Sequence, residues 1–451
     1  MIFSKFIFFY TLCLHFTTIV KCTDLISIFN KKNTSPNIIS SEIVWSLASH
    51  KCPYWTSDIL WVLYDVKNGE GFYLQRGVFD RTILLTAILN EKIQKHVKGI
   101  TVSLVLPPFC NIAHWSYEKN RRLPWSLFYD IKQSKVPIFE YYVLKMLIGN
   151  TDSKVDLVGL NFYYNDHREK NTYVEFFGKK EIIEKKFNNS KCNFGKFFDG
   201  EKSIYSGYCE YIRVNNLYCF NYYKLMRSKE VSDTIYEVFI PKHNYKRLFV
   251  FLLKHVDGIF VPWPRELDEF GVIDILQHSN YIVKKYKYYI SKNSFFFSGG
   301  PYLSIHLRRN DFIIVRRDEI PSFRQVLDRS LQLSREFGIS RVVISTDGNE
   351  KEKNELKSMF ESSGLILQII DIDYEKEDGI ISAISQIVLL NGEYFIGTKE
   401  SRFSLSVSWE CTLRERYKKK LGLSHNFNRC NEYFCKESQP ICREHRDRLP
   451  K

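Results

Sequence analysis

Residues 59 to 106 read ILWVLYDVKNGEGFYLQRGVFDRTILLTAILNEKIQKHVKGITVSLVL, and this stretch decides the fold. Ile59 to Val66 is an apolar run of strand length, followed by a short loop from Lys67 to Gly71. From Phe72 to about Gln94 the apolar positions Leu74, Val78, Ile83, Leu84, Ala87 and Ile88 recur near helical spacing. Ile100 to Leu106, ending at Pro107-Pro108, is a second buried strand. Strand, loop, helix and strand in that order predict a parallel sheet. The same alternation returns downstream. It runs through strands at Leu303–Leu307, Arg341–Ser345, Ile366–Ile370 and Tyr394–Ile396, with helices across Glu352–Ser362 and Gly379–Leu390. Two doubly wound α/β halves facing one another across a cleft are therefore expected, the architecture called GT-B. Residues 40–245 and 246–430 are the expected halves, with 431–451 a basic tail. Between about 145 and 245 the periodicity is too weak to read, and insertions are expected there.

Length and composition agree with two globular domains. The chain has 451 residues, is 44% hydrophobic and 26% charged, and carries a net charge of +14. That excludes a disordered chain and a polytopic membrane protein. Residues 1–22 have Lys5, an apolar stretch from Phe6 to Val20 and a Val20-Lys21-Cys22 ending, which reads as a secretory signal peptide. The apolar stretch is shorter than the roughly 20 residues of a spanning helix, so no membrane span is expected after cleavage. Much of the basic excess lies between Arg414 and Lys451, where 11 basic residues face 5 acidic ones. With a secretory route this charge reads as solvation, and nucleic acid is not an expected partner.

An oxidising lumen predicts disulfides among the cysteines that remain after Cys13 and Cys22. Cys435 with Cys442 would staple the tail, and Cys192 with Cys219 would close a hairpin-sized loop, leaving Cys52, Cys110, Cys209, Cys411 and Cys430 unassigned. No CxxC or HxxxH spacing supports zinc. Asn33-Thr34-Ser35 and Asn188-Asn189-Ser190 are glycosylation sequons.

Ligands of open parallel sheets bind beyond the carboxyl ends of the strands. Four loops qualify: Asn68–Phe72, His306–Phe312, Ser345–Asp347 and Gly397–Phe403. Glu70 stands between Gly69 and Gly71 at the amino end of a helix, placed either as a helix-end charge or as a carboxylate facing a cleft. Arg308 and Arg309 follow a buried strand directly; a guanidinium there suits a diphosphate, and a salt bridge to Asp311 is the structural alternative. Asp371-Ile372-Asp373 has the form of a DxD metal site, but no carboxylate cluster accompanies it, so it reads as an acidic loop and no metal is expected.

The segments YDVKNGEGFYLQR, LPPFCNIAHW, LPWSLFYD, GGPYLSIHLRRNDF, VVISTD, YFIGTKESRFS and FNRC, taken in order, resemble the protein O-fucosyltransferases that modify thrombospondin type 1 repeats. The resemblance runs from about Leu60 to Cys442. It implies a GT-B enzyme of the endoplasmic reticulum lumen that moves fucose from GDP-fucose to Ser or Thr of a folded repeat, inverting the anomeric centre without a metal. Carried over to this chain, Glu70 would be the general base, and Gly69, Gly71 and Phe72 would shape the donor pocket. His306, Leu307 and Arg308 would hold the diphosphate side, Asp311 would line the acceptor side, and Ser401 and Phe403 would close over the nucleotide. The chain departs from the family at three substrate-facing positions. Tyr73 replaces Asn, Arg402 replaces Thr, and Ser385 replaces an Asp near the nucleotide, for which Asp378 is the nearest substitute. These departures keep a second reading open, a GT-B-shaped protein that binds folded repeats without turnover.

Overall fold

The computed structural model describes side chains and backbone at residues 59–64, 66, 71–96, 101–112, 115, 122–131, 136–141, 144, 277–317, 320–420, 428–430, 432–434 and 441–443, apart from scattered side chains, and the backbone alone of six further strands. Contacts divide the chain after Ser279. One unit comprises Met1–Ala113 and Lys119–Ser279; the other comprises Asn280–Lys451 with His114–Glu118.

The first unit begins with β1 (Ile59–Tyr64), α1 (Phe72–His96), β2 (Thr101–Leu106) and β3 (Ile138–Glu140). It continues with β4 (Val155–Tyr163), the short strands β5 (Phe198–Asp199), β6 (Ser203–Tyr205) and β7 (Tyr211–Arg213), then β8 (Asn216–Asn221) and β9 (Leu248–Lys254). Its main sheet has the order β3-β2-β1-β9-β4-β8, every neighbouring pair parallel. Leu60 to Tyr64 and Val102 to Leu106 are buried throughout, as expected for parallel strands covered on both faces. The expected boundary at residue 245 is too early. β9 pairs with both β1 and β4 at the middle of this sheet, so the unit cannot close without it. The stretch expected to hold insertions supplies β4 and β8 of the main sheet and the antiparallel β5-β6-β7 sheet.

In the second unit, α2 (Asn280–Lys292) and α3 (Ser294–Phe297) precede β10 (Leu303–Leu307). There follow α4 (Phe312–Val315), α5 (Phe323–Phe337), β11 (Arg341–Thr346), α6 (Glu350–Glu361), β12 (Ile366–Ile369), α7 (Asp378–Leu390), β13 (Tyr394–Thr398), α8 (Arg402–Lys420), β14 (Glu432–Phe434) and β15 (Ile441–Arg443). The sheet order is β12-β11-β10-β13-β14-β15. Counted within the unit this is 3-2-1-4-5-6, the dinucleotide-fold order. All pairs are parallel except β14 with β15. The segment expected to be a separate tail therefore extends the sheet. The turn into β10 holds Gly299 and Gly300 at φ of 64° and 88°, where a side chain would be strained. Arg341 donates to the carbonyls of Phe295, Gly299 and Gly300, fixing the start of the strand. The core beneath is built from Leu303, Ile305, Leu307, Val326, Val342, Ile344, Phe360 and Ile396. Among the described residues, no helix is long and apolar enough to cross a membrane.

Candidate active site

A strand order of 3-2-1-4-5-6 reverses direction between its first and fourth strands, and the crevice beyond their carboxyl ends takes the ligand. Here those strands are β10 and β13. After β13 the chain turns through Lys399 and Glu400, the latter at φ 63°, and enters α8 with Ser401 as its cap. Ser401 N–H donates to Thr398 O at 3.2 Å, and Ser401 Oγ accepts from Ser404 N–H at 3.4 Å. Gly397 is required by close approach: a Cβ there would lie 2.7 Å from Ser404 Cβ. With no side chain in the way, Ser404 Oγ accepts from Thr398 N–H at 2.9 Å and sits 2.7 Å from His306 Nδ1.

His306 is buried, and the Phe403 ring lies 4.5 Å from its own. Burial, with the nearby Arg308 charge as the smaller cause, pushes its pKa from 6.5 down to about 3. In the ligand-free protein the imidazole is therefore neutral at physiological pH and serves as a hydrogen-bonding group. With Nδ1 taken by Ser404, Nε2 is the nitrogen left to face a ligand.

Arg308 leaves β10 with its backbone N–H donated to Thr398 Oγ1 at 3.0 Å, while Thr398 Oγ1 donates to His306 O at 2.9 Å. Its guanidinium is held between two carboxylates, Asp311 at 2.5 Å and Asp347 at 2.6 Å. Asp311 thus orients Arg308 in addition to any acceptor contact. Asp347, from the Ser345–Asp347 loop, is a site residue that the sequence reading left without a role. Arg309 turns away. Its Nε and Nη2 donate to Glu352 Oε1 at 3.0 and 2.6 Å, its backbone N–H donates to Asp347 Oδ1 at 2.6 Å, and its guanidinium lies over Phe323 at 4.7 Å. Leu307 points into the core, so only its backbone is available to a ligand.

In the first unit, Glu70 and Gly69 lie outside the described residues. Gly71 accepts from Leu74 N–H and Gln75 N–H at 3.0 and 3.1 Å, capping α1, and no described atom lies within 4 Å of where its Cβ would stand. Phe72 is a core side chain and not a pocket wall. Its ring packs against Tyr73, Phe109, Phe128 and Tyr129 at 4.7 to 6.0 Å, leaving Tyr73 half-buried beside it. Glu140, at the carboxyl end of β3, accepts Ser126 N–H at 2.9 Å and fixes the 3-10 turn Trp125–Leu127 under this cluster.

Ser385 sits in the buried body of α7, 6% exposed and flanked by buried Ala383, Ile384, Gln386 and Ile387. Asp378 stands in the first turn of α7, some 10 Å nearer the ligand end at 1.5 Å per residue. Arg402 and Phe403 open α8, both half-buried. Asp371 and Asp373 are exposed on either side of buried Ile372. No group of three or more His, Cys, Asp or Glu that could hold a metal is found among the described residues. Cys411 and Cys430, left unassigned from sequence, form a disulfide that ties α8 to the turn before β14, and Cys110 is also disulfide-bonded. The expected pairs Cys192–Cys219 and Cys435–Cys442 rest on side chains outside the described set.

A neutral imidazole, a guanidinium paired with two carboxylates and the amino end of α8 gather at one switch point, the place where open parallel sheets take their ligands. Two successive parallel-sheet units with such a site define a GT-B glycosyltransferase. Residues 61–414 match the profile of the GDP-fucose protein O-fucosyltransferases, and the chain belongs to that family. It is similar to GDP-fucose protein O-fucosyltransferase 2 of Plasmodium vivax, 29% identical over 378 residues that cover 82% of this chain and 74% of the relative. It is also similar to the protein of that name in Drosophila melanogaster, 25% identical over 77% of this chain and 75% of the relative. A solved structure of POFUT1 in complex with GDP-fucose is 13% identical, with a TM-score of 0.49 over 78% of this chain and 93% of that one.

Proposed function

We propose that the protein transfers fucose from GDP-fucose to a Ser or Thr hydroxyl of a folded thrombospondin type 1 repeat, with inversion, in the lumen of the endoplasmic reticulum. The observation that carries this reading is Arg308 at the β10–β13 switch point, held in place by Asp311 and Asp347. A single inverting displacement needs a base on one face and charge stabilisation on the leaving diphosphate. Arg308 offers its guanidinium to the diphosphate, while His306 Nε2 and the amino end of α8 add neutral donors. Glu70 would take the acceptor's proton as the hydroxyl oxygen attacks the anomeric carbon and GDP departs. The guanidinium fills the charge role that a divalent cation plays in metal-dependent transferases, so transfer is expected to survive excess EDTA. Of the departures from the family, Ser385 is offset by Asp378, whose carboxylate stands nearer the ligand end of the sheet and is the expected acceptor for guanine N–H donors.

The test is to incubate the purified protein with GDP-fucose and a folded repeat, with and without EDTA, and to weigh the repeat and determine its anomeric linkage. One deoxyhexose added in both conditions, with inverted linkage, is the expected outcome. An unmodified repeat together with tight GDP binding would favour the binding module without turnover. Activity lost in EDTA and restored by Mn²⁺ would bring Asp371 and Asp373 into the site.

A further inference from the structure

The turn that follows the site is apolar and turned outward. Ile313, Ile314 and Val315 of α4 are 38%, 84% and 69% exposed. Of the other large exposed hydrophobics among the described residues, Tyr288 and Tyr374 cover each other edge to face at 5.1 Å, and Phe297 and Ile366 occur singly along the chain, as such residues do on any surface. Three aliphatics in succession are different, because an outward apolar cluster marks a surface that meets something.

The turn is well fixed. Ile313 N–H donates to Arg309 O at 3.2 Å, Ile314 and Val315 N–H to Asp311 O at 3.1 and 3.0 Å, and Arg316 N–H to Phe312 O at 2.8 Å. Half-buried Phe312 anchors it, with the guanidinium of Arg308 at 5.5 Å on its ring and that of Arg316 at 5.7 Å. The same aromatic ring therefore joins the outward turn to the site arginine. Arg316 and Arg317, both exposed, border the aliphatics.

We propose that Ile314 and Val315, flanked by Arg316 and Arg317, form the docking surface for the polypeptide acceptor. The proposal rests on the reading that the acceptor is a folded protein. A nucleotide sugar is polar and anionic and gains nothing from aliphatic side chains, so the patch does not serve the donor. A polypeptide does gain: an apolar side chain near its acceptor hydroxyl covers Ile314 and Val315, and an acidic one meets exposed Arg317. Because the patch begins one turn beyond Asp311, a module seated on it is held beside the site, which converts encounter into positioned attack.

The test compares wild type with Ile314→Ser/Val315→Ser, a pair of exposed positions where polar side chains leave the core untouched. Expected are a rise of about tenfold in KM for a folded thrombospondin type 1 repeat, kcat within about twofold, and unchanged GDP affinity and acceptor-free hydrolysis of GDP-fucose. An unchanged acceptor KM overturns the proposal. A wild-type dimer that the substitutions dissociate, seen by sedimentation, also overturns it by assigning the patch to a second copy of the chain. Direct binding of the repeat to both forms with GDP present separates docking from turnover. Equal binding sinks the docking surface, whereas wild type that binds the repeat selectively yet never modifies it sinks only the transferase reading.

Discussion

Arg308 and Arg309 are neighbours with identical chemistry, and their fates diverge because of what waits at the end of each side chain. Arg308 is held by Asp311 and Asp347 at the ligand end of the sheet. Arg309 is bound by Glu352 and stacked on Phe323. Arg308→Lys keeps the charge but loses the planar fork. It is expected to lower kcat/KM by roughly a hundredfold or more, the scale seen when one oriented transition-state donor is removed. Arg309→Lys is expected to leave transfer near wild type while costing about 1 to 3 kcal/mol of stability, since Glu352 loses a charged hydrogen bond in a partly buried setting. Transfer assays alongside denaturant unfolding decide this, and equal losses of transfer with equal stabilities would contradict the division of roles. The sequence makes the pair legible as a candidate, because it follows an apolar strand. Which of the two faces the ligand depends on Glu352, 43 residues further on, and that is a tertiary fact. The same holds for Ser404, whose contact with His306 spans 98 residues.

Glu140 binds elements together. Its carboxyl closes β3 onto the Trp125–Leu127 turn, whose Trp125 stacks near Phe79 and Phe109, and Phe109 in turn packs on Phe72 at the start of α1. Burial raises its pKa from 4.5 to about 7, against the lowering effect of its bonds to Ser126 and Trp125. Between those values the unfolded chain has released the proton while the folded one keeps it. Raising the pH therefore favours unfolding, and this contribution to stability is full below about 4.5 and lost by about 7. At ~1.4 kcal/mol per pH decade the loss is on the order of 3 kcal/mol. Glu140→Gln, which cannot ionise, is expected to lack that fall, read from denaturant midpoints at pH 4.5, 6 and 7.5; parallel curves for the two proteins would refute it. Elements such as β10, β11 and α7 are legible because apolar runs and helical spacing persist over their length. The helix α5 carries equally local signals, the Ser322–Gln325 capping box and Gly338 at its end, and reading caps before periodicity would have found it. Strands β14 and β15 are three residues each, too short for a pattern of two-residue period to stand out, and only pairing makes them strands, β14 with β13 and β15 with β14.

At the scale of the whole molecule, the two units have the same parallel construction but different chemistry at their switch points. In the second, Arg308, neutral His306 and the start of α8 gather at the β10–β13 crevice, with Asp311 and Asp347 holding the guanidinium. In the first, strand order reverses at β1, and the segment leaving β1 runs through Glu70 to the cap of α1 at Gly71. Apolar runs made β1 and β2 of the first sheet and β10 to β13 of the second legible, while β4, β8 and the boundary at Ser279 were not, because they follow or lie in a stretch without periodicity and β9 joins its sheet only through long-range pairing. This division of labour predicts how a single substitution should separate binding from chemistry. Glu70→Gln removes the carboxylate proposed as proton acceptor and leaves the second unit unchanged. GDP should raise its midpoint of thermal unfolding as much as it does for wild type, since that shift depends only on ligand concentration relative to Kd. Transfer to a folded repeat should fall by about a hundred- to ten-thousand-fold, the usual contribution of a positioned base. Transfer within a few-fold of wild type would remove Glu70 from the mechanism. Loss of the GDP shift together with transfer would show instead that the segment after β1 helps to hold the nucleotide, so that donor binding is shared between the units.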